Sequence, residues 1–82
     1  VYYYQLGEMD KANAIMTKVA DNCAEYMAWG ASLRKEQRAS SQSTLGHQMA
    51  VLGYVLQNLE RYEQKELFNY YYDIYAQYAA LR

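Results

Sequence analysis

Few side chains in these 82 residues could do chemistry, and their spacing decides what each one can do. His47 is the sole histidine and Cys23 the sole cysteine. A catalytic imidazole needs a group that orients it and tunes its proton affinity, and the sequence sets no such partner beside His47. On a helix it falls opposite Leu52, near Tyr54 and Asn58, so it reads as a solvated surface side chain. Cys23 lies between Val19 and Met27 on an apolar stripe, where a free thiol packs as a small hydrophobe. A nucleophilic cysteine would be part-exposed with a lowered pKa. A single cysteine also excludes an intrachain disulfide and a thiolate metal cluster. Asp21 with Glu25, and Glu63 with Glu66, are carboxylate pairs about one helical turn apart. Such pairs do acid/base or glycosidic work across a cleft, and no histidine shares their face to complete a metal site. Hydrated carboxylates are the plainer reading. No catalytic residue, cofactor-binding residue or metal ligand is assigned, no cofactor is implied, and the chain is read as not an enzyme in itself.

The eleven tyrosines are the oddity. Tyrosine is a middling helix former, so packing must justify each one. Tyr71, Tyr75 and Tyr78 suit a core or an interface with wet hydroxyls. Tyr72 falls at the edge of a polar face, and Tyr54 opposite its own helix's stripe. Tyr2, Tyr3 and Tyr4 cannot all point inward on one helix. Aromatic surface is therefore expected to face a partner or solvent, and Tyr and Trp are enriched at binding hot spots. The interface candidates are Tyr3, Tyr4, Trp29, Tyr54, Tyr72 and Tyr75. A carbohydrate-binding helical domain, with Tyr54 and Tyr72 as stacking platforms, is the alternative.

The elements that must position these residues are helical. Proline is absent and glycine numbers four. From Asp10 the apolar positions Ala12, Ile15, Met16, Val19, Cys23, Tyr26, Met27, Gly30 and Leu33 keep helical phase. They predict one long helix over 10–34, with Asp10 as N-cap and Gly7 ending a preceding helix over 1–7. Residues 35–44, "KEQRASSQST", carry no large apolar side chain and read as a connector, with Ser41 to Thr44 a capping region. Leu45, Met49, Leu52, Val55, Leu56 and Leu59 stripe a helix over 45–61. Leu67, Tyr71, Ile74, Tyr78 and Leu81 stripe another over 63–81, and the two make an antiparallel pair. Glu60, Glu63 and Glu66 lie near its start, where acidic groups suit the helix dipole. The fold class is all-α: helical hairpins in one domain, 1–82.

A net charge of −1 gives no footprint for nucleic acid. Arg34, Lys35 and Arg38 read as a solvated connector. No apolar run approaches the roughly 20 residues of a membrane span, so direct insertion by this segment is not expected.

Two resemblances add to this reading. Tyr4, Gly7, Ala12, Met16 and Val19, on two amphipathic helices joined by a glycine bend, resemble the second half of a tetratricopeptide-type hairpin. The 45–81 pair resembles a hairpin too, but lacks the bend glycine and has Lys65 near where the small alanine belongs. About three such units are needed for a stable stack, and this chain offers about one and a half. It therefore reads as part of a larger chain, resting on that parent, on another protein or on a second copy as a homodimer. Separately, "LGEMDKA", "EYMAW", "VLGYVL" and "YEQKEL" resemble the C-terminal soluble tail of a bacterial family of multi-spanning membrane proteins similar to protein O-mannosyltransferases. The resemblance implies an accessory interaction domain on the extracytoplasmic side of a membrane-anchored, glycosyltransferase-like parent. That family's catalytic acidic residue would lie in a membrane-proximal loop outside this sequence, so no catalytic position carries over.

Overall fold

The computed structural model describes residues 1–81, and Arg82, the last residue of the expected 1–82 domain, lies outside the described residues. Among the described residues five helices follow one another: α1 Tyr2–Gln5, α2 Met9–Ser32, α3 Lys35–Ser40, α4 Gln42–Arg61 and α5 Lys65–Ala79. No strand occurs among the described residues, and the fold is all-α. The 24-residue α2 spans about 36 Å at 1.5 Å per residue. It sets the 45 Å long axis of a molecule only 18 by 15 Å across. α4 and α5 both pack along α2 and along each other.

The start of α2 is set by backbone geometry rather than by a side-chain cap. Gly7 closes α1 at φ 80, a left-handed conformation glycine adopts at no steric cost. Glu8, not Asp10, is the N-cap residue (φ −87, ψ 73), and its carbonyl accepts the Ala12 N–H. At the far end Leu33 and Arg34 are extended (ψ 152 and 159), which breaks the helical ladder after Ser32.

The expected connector is corrected in the structure: Lys35–Ser40 is itself a helix, and α4 begins at Gln42. The run "KEQRA" consists of good helix formers, and the Gln37 side chain caps it by accepting the Arg34 backbone N–H at 3.1 Å. No buried residue lies on α3, so the apolar periodicity that reveals the other helices was missing there. Ser41 occupies the N-cap position of α4 without a side-chain cap bond.

The core unites Tyr4 of α1, Ala12, Met16, Ala20, Cys23 and Met27 of α2, Leu45, Met49, Leu52, Val55, Leu56 and Leu59 of α4, and Tyr71 and Tyr78 of α5. Every residue of the expected α4 stripe is buried. On α2 the stripe divides. Ile15, Val19 and Tyr26 are exposed, while Ala20, absent from the sequence reading, is fully buried. On α5 only Tyr71 and Tyr78 are buried, Leu67 and Ile74 are half-buried, and Leu81 lies exposed beyond the helix.

The α1–α2 and α4–α5 turns share one backbone. Leu6 and Tyr62 end the first helix of each pair. Gly7 (φ 80) and Glu63 (φ 61) follow in the left-handed region. Glu8 (φ −87, ψ 73) and Gln64 (φ −86, ψ 69) then open the second helix. The hydrogen bonds repeat as well. Gly7 N–H donates to Tyr4 O and Glu8 N–H to Tyr3 O; Glu63 N–H donates to Glu60 O and Gln64 N–H to Leu59 O. Both are Schellman closures, with the six-to-one bond present in each. Phe68 is thus the counterpart of Ala12, and Lys65, which the sequence set near the small-residue position, is the counterpart of Met9.

A non-glycine residue held left-handed costs about 1–2 kcal/mol. Glu63→Gly is therefore expected to raise the unfolding free energy by about 1 kcal/mol in urea denaturation, and Gly7→Ala to lower it by a similar amount. Unchanged midpoints in both variants would contradict the shared turn geometry.

Candidate interaction surface

The groups singled out for chemistry do not converge. His47 is exposed on α4, and Cys23 is buried, its thiol 3.4 Å from Gln48 Oε1. Burial pushes the Cys23 pKa up, the direction that keeps it a thiol. Among the described residues no group of three or more His, Cys, Asp or Glu is placed to hold a metal ion. No helix there is long and apolar enough to cross a membrane.

Asp21, expected to be a hydrated carboxylate, is exposed and also accepts a hydrogen bond: the Tyr71 hydroxyl donates to its Oδ1 at 2.5 Å, tying α5 to α2. Burial, then the Asp21 hydrogen bond and charge, then Tyr70, push the Tyr71 pKa well above the ordinary 10.0. Since the folded-state pKa lies above the unfolded one, the contribution is complete below about pH 10 and is lost as pH climbs beyond it. Alkaline unfolding of wild type should therefore steepen above about pH 10, and Tyr71→Phe should flatten that loss while reducing neutral-pH stability by about 1 kcal/mol. Parallel pH–stability curves for the two proteins would contradict the assignment.

The α1–α2 turn is locked to the α4–α5 turn by side chains. Tyr4 stacks on Tyr62 at 4.5 Å with 13° between ring planes, and its hydroxyl donates to Asn13 Oδ1 at 2.6 Å. Asn13 Nδ2 donates to Gln64 Oε1 at 2.9 Å, and Gln64 Nε2 donates to the Tyr62 carbonyl at 2.9 Å. Tyr4, expected at an interface, is only 3% exposed. It is an internal clamp, because the stack with Tyr62 and the bond to Asn13 occupy its ring and its hydroxyl. Tyr3 is half-buried, with the Lys11 ammonium 5.8 Å from its ring centre.

The other candidates fall on two separate faces. Along α2, Ile15, Val19, Tyr26 and Trp29 (45% exposed) recur at helical spacing and leave an apolar stripe open. Along α5, Phe68, Tyr72 and Tyr75 form a stacked row, with ring centres 5.4 and 6.5 Å apart. Tyr72 is 50% exposed, while Tyr75 is half-buried and packs against the core beside Gly53. Tyr54, at 57% exposed, stands on α4, and among the described residues no ring contact joins it to Tyr72. Phe68 was not among the candidates; its place in the row follows from the four-residue spacing to Tyr72 once α5 is a helix.

At the opposite end, Lys35, Arg38, Ala39, Gln42, Tyr78 and Leu81 line an open cleft of about 400 Å³. Arg38, expected to be a solvated charge, has its Nε covered there without a hydrogen-bond partner among the described residues.

Comparison with protein-family models, with curated proteins and with solved structures finds no match to this chain. The surfaces therefore stand on their own geometry. An amphipathic helix leaves apolar side chains in water only at a cost.

Proposed function

We propose that this chain is a non-catalytic helical interaction domain built of tetratricopeptide-like hairpins, working through protein–protein contacts or self-association. One observation carries the reading. The two hairpins share a turn geometry, and each leaves an apolar helix face open on its outer side. Repeat units bury such faces against neighbours, which is how a stack gains its core. The spacing of the two turns exceeds the roughly 34 residues of a tetratricopeptide unit, because α2 is long and α3 is inserted before α4. The resemblance to the tail of the O-mannosyltransferase-like family extends the proposal: an accessory domain of a membrane-anchored, glycosyltransferase-like parent on the extracytoplasmic side of the cell envelope.

Sedimentation velocity on the 82-residue chain tests the interaction reading. The expected result is concentration-dependent association through the α2 stripe, weakened by Trp29→Ala. Strictly monomeric behaviour, unchanged by Trp29→Ala, would overturn it. Carbohydrate binding has less support, since among the described residues no ring contact joins Tyr54 to Tyr72. Tyrosine fluorescence that stays silent through a series of sugar titrations would remove that alternative.

A further inference from the structure

The shared turn places the residues of α5 in register with those of α2. Phe68 corresponds to Ala12, Tyr72 to Met16, Ala76 to Ala20 and Ala79 to Cys23. On α2 these four positions are buried in the core that α4 and α5 build against it. On α5 their counterparts are half-buried or exposed. The same face is thus covered in one hairpin and open in the other.

We infer that the Phe68–Tyr72–Tyr75 face of α5 is a docking surface for an amphipathic helix of a partner protein, laid antiparallel to α5 as α4 is laid against α2. The inference rests on the interaction-domain reading and names the kind of partner and its site. Three observations define that partner. First, the surface continues an existing interface, because Tyr75 packs beside Gly53 of α4. Second, size reverses at the turn end of the face. Gly30 of α2 receives Leu45 of α4, and the small, buried Ala12 of α2 has the large Phe68 as its counterpart on α5, while Ala20 and Ala76 match. The large rings of α5 therefore call for a helix whose contact stripe is rich in alanine, flanked by leucine. Third, the charge is directional. In the covered hairpin the C-terminal end of α4 lies over the α1–α2 turn, where Tyr62 stacks on Tyr4. The counterpart of Tyr4 is Glu60, and around that turn the exposed Glu60, Glu63 and Glu66 outnumber the exposed Arg61 and Lys65. A helix arriving in the same sense brings its C-terminal, negative end to that acidic turn, so its last turn must carry Lys or Arg.

The probe is a fluorescein-labelled 20-residue helical peptide with an Ala/Leu contact stripe and two arginines in its last turn, followed by anisotropy against the full chain. Wild type is expected to bind it, Tyr72→Lys to weaken binding by at least about tenfold, and the Glu60→Lys, Glu63→Lys double variant by about threefold or more. A peptide ending in glutamates should recover affinity for the double variant. Tyr72 is half exposed, so Tyr72→Lys should keep its helical circular dichroism; Tyr72→Ala serves as a second variant if it does not. Equal binding to wild type and to both Tyr72 variants, with loss instead in Ile15→Lys, would overturn the inference while leaving an interaction domain in place. So would a Tyr72 variant that abolishes self-association without touching peptide affinity, which would make a second copy the occupant. A peptide bound by neither face, on a chain that also sediments as a monomer, would overturn the interaction-domain reading itself.

Discussion

Leu52→Ala is expected to lower the unfolding free energy by about 2–5 kcal/mol, the range for a leucine removed from a site that cannot collapse. Leu52 has no exposed surface and lies midway along α4, between the buried Leu45 and Leu59. α4 packs on α2 and α5 at once, so the lost methyls leave a void that backbone movement on one side cannot fill. A domain of this length is expected to have a total stability of about 4–12 kcal/mol, so the variant should lose a large share of it. Chemical denaturation followed at 222 nm gives the value directly. A loss below about 1 kcal/mol would mean that the three helices do not close on Leu52 as described.

Gly30→Ala is expected to destabilise by about 1–3 kcal/mol, against the usual gain of about 1 kcal/mol when alanine replaces glycine inside a helix. The reason is contact. A Cβ on Gly30 would stand 2.9 and 3.0 Å from the two Leu45 methyls and 3.0 Å from Tyr78 Cε2. Leu45 is fully buried and Tyr78 nearly so, which leaves neither side chain free to retreat. Gly30 is therefore where Leu45 of α4 and Tyr78 of α5 press directly on α2. The double variant Gly30→Ala, Leu45→Ala supplies the check. Its loss should be smaller than the sum of the single losses, since removing the methyls relieves the clash. A stabilising Gly30→Ala would show that helix propensity outweighs packing at this crossing.

Both effects trace to the path from sequence to core. The α4 stripe was legible because its leucines, methionine and valine repeat at helical spacing and all face one way. The α2 stripe was legible as a helix but not as a surface. Ile15, Val19 and Tyr26 share the phase of Met16 and Cys23, and only the placement of α4 and α5 separates the covered side from the open one. Ala20 carried no signal, since alanine suits either environment, yet it is fully buried midway along α2. Among the interface candidates, Tyr4 failed for a similar reason: its partners Tyr62, Asn13 and Gln64 include residues remote in sequence. Tyr72, Trp29 and Tyr54 do present open ring surface.

By itself the sequence determined that the chain is helical, where the main apolar stripes run, and that its lone thiol sits among buried residues. These follow from local periodicity and composition, which act over a few turns of backbone. Tertiary structure alone decided that Glu63 adopts the left-handed turn glycine takes at position 7, that α3 is a helix, and that Asp21 holds Tyr71. It also decided which apolar face of each hairpin is covered. Those outcomes depend on how separate helices meet, and the free energy of that meeting comes from buried area and steric fit between residues distant along the chain.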